Sequence, residues 1–123
     1  MSDKKTIFVA FAIEDIMQRT FLKGQSLYNK CPFEYIDYSV KEPYASEWKE
    51  KVRARIRRSD GVIVLVSKNS LSSSGQRWEI QCAREENAPI IAIWAYSDDR
   101  TLISGLSVKP WKWETISNFI DNV

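Results

Sequence analysis

Asp60-Gly61-Val62-Ile63-Val64-Leu65-Val66-Ser67 sets a turn signal before an unbroken aliphatic run. A short, continuously apolar, β-branched segment bounded by Gly and Ser reads as a strand covered on both faces, which is the central position of a parallel sheet. On either side the pattern alternates between strands and helices. Upstream, Thr6 to Ala12 is a second near-continuous apolar run, followed by Glu14 and Asp15 at a helix start, where the dipole favours acidic groups. The helix from Asp15 to about Tyr28 carries Ile16, Met17, Thr20, Phe21, Gly24, Leu27 and Tyr28 at helical spacing, and Asn29 and Pro32 end it. Phe33 to Asp37 alternates and reads as an edge or half-exposed strand.

After a loop from Tyr38 to Ala45, Ser46 is a good N-cap for a helix from Glu47 to about Arg58, with Trp48, Val52 and Ile56 as a narrow apolar seam. Lys49, Lys51, Arg53, Arg55, Arg57 and Arg58 form its basic outer face. A solvated helix surface is the ordinary reading of such a face, and no interleaved aromatics support nucleic-acid binding. Downstream of the central strand come a serine-rich loop, Lys68 to Gln76, a helix from Arg77 to about Asn87, and a fourth strand, Ile90 to Ala95, opened by Pro89. Leu106 to Val108 reads as a short fifth strand, and Trp113 to Asp121 as a last helix. Strands alternating with helices build an α/β fold around a parallel sheet. The expected architecture is a flavodoxin-like three-layer sandwich, five strands in the order 2-1-3-4-5, formed by one domain over 1–123.

Composition narrows the function. At 123 residues, 44% hydrophobic and 28% charged, the chain is ordinary for a globular domain. No apolar run reaches the ~20 residues of a membrane span, and the start MSDKKTIFVAF lacks a signal-peptide layout, so a cytoplasmic chain with no membrane partner is expected. A net charge of +2 gives no electrostatic case for nucleic acid. Cys31 and Cys82 lack the spacing of a zinc ribbon or a disulfide framework and read as reduced packing thiols. The chain has no histidine, which removes Ser-His-Asp and Cys-His catalysis and His-ligated metal sites together. Chemistry here must run on carboxylates, hydroxyls, lysines or backbone groups, and no metal or resident cofactor is expected.

In doubly wound sheets, ligands sit beyond the C-terminal strand ends where the order reverses, between strands one and three. That focuses attention on Phe11 to Arg19, Tyr38 to Tyr44 and Ser67 to Glu79. Phosphoryl transfer of the receiver type needs an acceptor aspartate after strand three, where this chain reads Val66-Ser67-Lys68. A flavin phosphate loop needs hydroxyls or glycine after strand one, where it reads Ala12-Ile13-Glu14-Asp15. Neither GxGxxG nor GxxxxGK occurs. Carboxylates remain. Glu79, in Gln76-Arg77-Trp78-Glu79-Ile80, reads by position alone as a favourable helix-N-terminal acid. Asp15 reads likewise as a cap residue and Trp78 as a packing aromatic.

The order of motifs resembles the TIR domain, specifically the bacterial TIR-like branch that includes the TIR-like components of Thoeris antiphage systems. The resemblance spans roughly residues 6 to 95 and rests on the following stretches. Ile7-Phe8-Val9-Ala10-Phe11 with Glu14-Asp15 and Arg19-Thr20-Phe21-Leu22 is similar to the TIR start. Tyr35-Ile36-Asp37 resembles the strand leading into the TIR mobile loop. Ile56 to Ser67 matches the helix, small-residue turn and third strand. Trp78-Glu79-Ile80 stands where TIR-like proteins place an aromatic beside a catalytic glutamate, and Ala83 with Asn87-Ala88-Pro89-Ile90-Ile91 completes the pattern. Two features depart from it: Ala10 stands where typical TIRs have serine, and Trp78 adjoins Glu79 where they place Trp-Cys two or three residues earlier.

The resemblance implies an NAD-consuming enzyme that breaks the nicotinamide–ribose bond, giving ADP-ribose or a cyclic or conjugated signal nucleotide, in antiphage defence. It implies Glu79 as the catalytic carboxylate, Phe11 and Trp78 as ring-stacking groups, Asp15 and Arg19 as polar contacts, and Ser67 lining the pocket. NAD is then a substrate, not a cofactor. The implied partners are other copies of the chain, joined through TIR contacts, and a separate effector protein that senses the product. Assembly is often the trigger of such enzymes. The other reading left open is a non-catalytic TIR-like interaction module assembling through its helices and the Tyr38 to Tyr44 loop; the two departures count toward it.

Overall fold

The computed structural model describes residues 5–28, 33–36 and 46–123, with side chains for 5–25 and 49–123. Its elements alternate: β1 (Lys5–Ala10), α1 (Ile16–Tyr28), β2 (Phe33–Ile36), α2 (Ser46–Arg58), β3 (Gly61–Val66), α3 (Ser74–Glu85), β4 (Ile90–Trp94), β5 (Val108–Lys109) and α4 (Trp113–Asp121). Every strand pair is parallel, and the sheet runs β2-β1-β3-β4-β5. Val62 to Val66 pairs with Ile90 to Trp94 on one side, while Gly61 to Val64 pairs with Ile7 to Ala10 on the other. The aliphatic run quoted first therefore occupies the middle of the sheet.

Alternation along each strand divides the core into two halves. Ile7, Val9, Ile63, Leu65, Ile91 and Ile93 face one side, where they meet Leu22 of α1 and Ile116 and Ile120 of α4. Phe8, Ala10, Val62, Val64, Val66 and Ala92 face the other, against Val52 and Ile56 of α2 and Ile80, Cys82 and Ala83 of α3. Helices cover both faces, which is why the central strands can be apolar throughout. Gly61 opens β3 where space is short: a Cβ there would stand 2.9 Å from Phe119 Cζ. Among the described residues, no helix is long and apolar enough to cross a membrane.

Several boundaries differ from those read in the sequence. β1 ends at Ala10, not Ala12. Phe11 and Ala12 leave the ladder, and the Asp15 N–H closes a 3₁₀ turn, Ile13–Asp15, on the Ala12 carbonyl at 2.8 Å. Ser67 lies outside β3 and caps a second 3₁₀ turn, Lys68–Ser72, by accepting the Asn69 N–H. α3 starts at Ser74, three residues before Arg77, because the Ser73 hydroxyl accepts the Gln76 N–H at 3.1 Å. It stops at Glu85 because Asn87 takes a left-handed φ of 58°. β5 is Val108–Lys109 rather than Leu106 to Val108, since the Leu106 N–H is still bonded back to Ile103 in the turn at Gly105. The Tyr38 to Tyr44 loop and Cys31 lie outside the described residues.

Candidate functional site

Beyond Ala10 and Val66, β1 and β3 part, and the gap that holds ligands in many open α/β sheets lies between them. Here the chain fills it with its own polar side chains. Gln76, wholly buried on the inward face of α3, donates through Nε2 to the carbonyls of Ala10 (3.1 Å) and Leu65 (2.8 Å), so one amide spans the ends of both strands. Next to it, the buried Asp15 carboxylate accepts from Ser67 Oγ at 2.5 Å, Asn69 Nδ2 at 2.9 Å and the Tyr96 hydroxyl at 2.8 Å. Ser67 also accepts the Asn69 N–H and donates its own N–H to Ser70 Oγ. An acceptor-only carboxylate with three donors compensates its burial internally. Burial, together with the hydrogen bond to Asp15 and its negative charge, pushes the Tyr96 phenol up to about 12.

Asp15 and Ser67, named from sequence as a first-loop contact and a pocket residue, are thus brought together. Asn69, Tyr96 and Gln76 complete the cluster and were not anticipated. With α3 placed only from Arg77, the inward stripe Gln76, Glu79, Ile80, Ala83 lost its first member. Tyr96 follows β4, outside the stretches beside the switch point between β1 and β3. An aromatic with a polar tip just past a buried strand was the available signal.

Glu79 lies one turn along α3 from Gln76, on the same inward face, with 0% exposure. Among the described residues, Asp15 and Glu79 are the two buried acids. Glu85 and Glu86, at the far end of the helix, are treated differently. Arg53 of α2 reaches Glu85 and Glu86, each at 2.8 Å, and Arg57 reaches Glu86 at 3.0 Å. Hydrogen bonds from Arg57 and Arg53 hold the Glu86 carboxyl down at about 2. The basic face of α2, read as solvated, therefore gives two of its arginines to α3.

The remaining candidates separate. Phe11 is wholly buried in the core with Ile7 and Leu65, and the Arg19 guanidinium sits 5.8 Å from its ring centroid. In this position Phe11 offers no face to a ligand ring, because it continues the alternation of Ile7 and Val9 into the same half of the core. Arg19 is half-buried beside it. Trp78 precedes Glu79, so the two project about 100° apart. Trp78 is half-buried against the α2–α3 layer, with Lys49 Nζ and the Arg53 guanidinium 5.8 and 5.6 Å from its ring. It also borders a groove of about 830 Å³ shared with Ser74, Arg77, Arg84 and Leu102. A second cavity, about 380 Å³, lies between α1 and the end of β4, beside Phe21, Tyr96, Arg100 and Trp111. Trp111 donates to Gln25 Oε1 at 2.8 Å and fastens α1, while Trp113 packs on the core. Among the described residues, no three side chains of metal-ligating type converge.

A crystal structure of a prokaryotic SEFIR domain superposes on the chain with a TM-score of 0.58 at 15% identity, covering 97% of this chain and 89% of that one. A likeness at that identity is one of fold. Curated protein sequences give no match. The model of the TIR-like domain of Thoeris protein ThsB matches residues 8–100, a span that runs from within β1 past β4 and contains Asp15, Ser67, Gln76 and Glu79. The chain belongs to the TIR-like domain family of the Thoeris protein ThsB.

Proposed function

We propose that residues 1–123 form one cytoplasmic TIR-like domain on a flavodoxin-like sheet, and that it consumes NAD with Glu79 as catalytic carboxylate. The observation that carries this reading is the burial of Glu79 on the inward face of α3, one turn from the strand ends. Buried acids concentrate at functional sites, and this one shares its helix face with Gln76, which spans the ends of β1 and β3.

The chemistry suits a histidine-free chain. In NAD the bond from ribose C1′ to the nicotinamide nitrogen breaks with both electrons going to the cationic ring, so neutral nicotinamide leaves without a proton. Charge develops on the ribose as an oxocarbenium ion, as in glycoside cleavage. One carboxylate, held in a water-poor site, stabilises that cation. Water, or a hydroxyl of the same or another molecule, then adds at C1′ and loses its proton, giving ADP-ribose or a cyclic or conjugated nucleotide.

Of the contact residues implied by the resemblance, Arg19 and Trp78 retain exposed surface to meet the dinucleotide. Asp15 and Ser67, wholly buried, hold the strand ends beside the site, while Phe11 backs the first loop from the α1 and α4 half of the core. Glu79 must be uncovered for the reaction, and self-assembly of the chain supplies that step in this reading. Ile13, Met17 and Phe21, exposed at 48%, 62% and 58% at a spacing of four, give it an apolar surface with which to assemble. A separate effector protein would sense the product.

The test is to follow labelled NAD in phage-challenged cells expressing the chain. The reading requires a labelled nucleotide product with wild type and none with Glu79→Gln. Equal product from both would remove Glu79 from the chemistry.

A further inference from the structure

The Gln76 amide has one chemically permitted orientation. Its nitrogen faces two backbone carbonyls, Ala10 at 3.1 Å and Leu65 at 2.8 Å, and both can only accept. Oε1 is therefore directed away from the strands. The side chain is 0% exposed, and among the described residues Oε1 meets no donor. Buried acceptors without donors are costly and rare, so this one calls for a physical reason. Gln76 shares its helix face with Glu79, three residues on, which places two buried acceptors about one turn apart.

We propose that Gln76 is a substrate-contacting residue whose Oε1 accepts a hydrogen bond from a hydroxyl of the ribose that reaches Glu79. This rests on the NAD reading above. An amide oxygen requires a donor, which excludes phosphate or carboxylate as its partner, and a vicinal diol presents two. The ribose of the scissile bond thus meets a pair of acceptors, an amide oxygen and a carboxylate. The amide is already fixed by the strand carbonyls, so the acceptor itself keeps its orientation once the assembly that uncovers Glu79 admits the ribose. A site that reads a hydroxyl by a buried acceptor also rejects ligands lacking it, because the acceptor is then left bare.

The experiment compares nicotinamide release from NAD and from its 2′-deoxy and 3′-deoxy analogues, modified on the nicotinamide ribose, by wild type and Gln76→Met. Wild type is expected to lose about tenfold in kcat/KM on one of the analogues, the worth of one hydrogen bond. In Gln76→Met that analogue and NAD become equivalent, whereas a structural defect lowers both and leaves their ratio unchanged. An unchanged ratio overturns the role of Gln76 and leaves the NAD reading standing. Wild type that neither binds NAD in calorimetry nor releases nicotinamide overturns both. Should Gln76→Met fail to fold, the Gln76 side-chain carbonyl ¹³C resonance of otherwise unaltered protein decides. A shift with NAD that the deoxy analogue fails to reproduce supports the contact. A resonance indifferent to NAD assigns the donor to a buried water and ends the proposal.

Discussion

Ser67 Oγ donates to the Asp15 carboxylate at 2.5 Å across 52 residues of chain, joining the turn after β1 to the end of β3. Asn69 and Tyr96 bring the 3₁₀ turn after β3 and the end of β4 to the same carboxylate. Three strand ends are thus held by one acid, in the crevice where a phosphate site would otherwise form.

Replacing that acid leaves three donors, the buried Ser67 hydroxyl and the part-buried Asn69 and Tyr96, without their acceptor. Asp15→Ala is expected to lower unfolding free energy by about 3 kcal/mol, and Ser67→Ala by about 1–2 kcal/mol. Urea denaturation of the variants measures both. A loss under about 0.5 kcal/mol for Asp15→Ala, the range of ordinary surface substitutions, would show that the cluster does not hold the strand ends.

The same cluster gives an alkaline signature. Tyr96 is raised from 10.0 to about 12 in the folded chain, by burial first and then by Asp15. Between these values the unfolded chain has lost the phenolic proton and the folded chain has kept it, so stability falls as pH rises through that window. Below pH 10 the contribution is fully present. Tyr96→Phe should lessen the decline between pH 10 and 12, seen as a smaller change in denaturation midpoint over that range. An identical slope in both proteins would place the titration elsewhere.

At the acid end, the arginines of α2 act on α3. Glu86 is lowered from 4.5 to about 2, by hydrogen bonds from Arg57 and then Arg53. Its stabilisation is complete above pH 4.5 and is lost as pH falls toward 2, because the unfolded chain takes up the proton first. Glu86→Gln should flatten that limb of the stability profile, with a small effect at neutral pH because the Arg57 end of the cluster is exposed to solvent. A limb as steep in the variant as in wild type would contradict the pairing.

How much of this was legible in the sequence depended on whether a residue's environment is local. Val62 to Val66 and Ile90 to Ile93 announce buried strands by their own composition, and the parallel α/β fold followed from their alternation with helices. Topology drew attention to the stretches that hold Asp15, Ser67 and Glu79, and the family resemblance supplied their implied roles. Gln76 lies in the same stretch but reads as loop, since Ser73 moves the helix start by three residues, a choice the serine-rich stretch 70–74 leaves open. The stacking role for Phe11 came from its place in a motif. The structure keeps its ring in the core on the face of Ile7 and Val9, where the alternation of β1 carried on by two residues places it. The two-residue β5 depends on the turn at Gly105.

The central claim, that Glu79 does the chemistry, is tested most directly by nicotinamide release from NAD by purified protein at concentrations that drive assembly. Glu79→Gln and Glu85→Gln, on the same helix, are carried through the same assay. Release is expected from wild type and from Glu85→Gln, with a loss of at least about a hundredfold confined to Glu79→Gln, the scale of removing one stabiliser of transition-state charge. Release by Glu79→Gln at the wild-type rate, or none from assembled wild type, would contradict the claim.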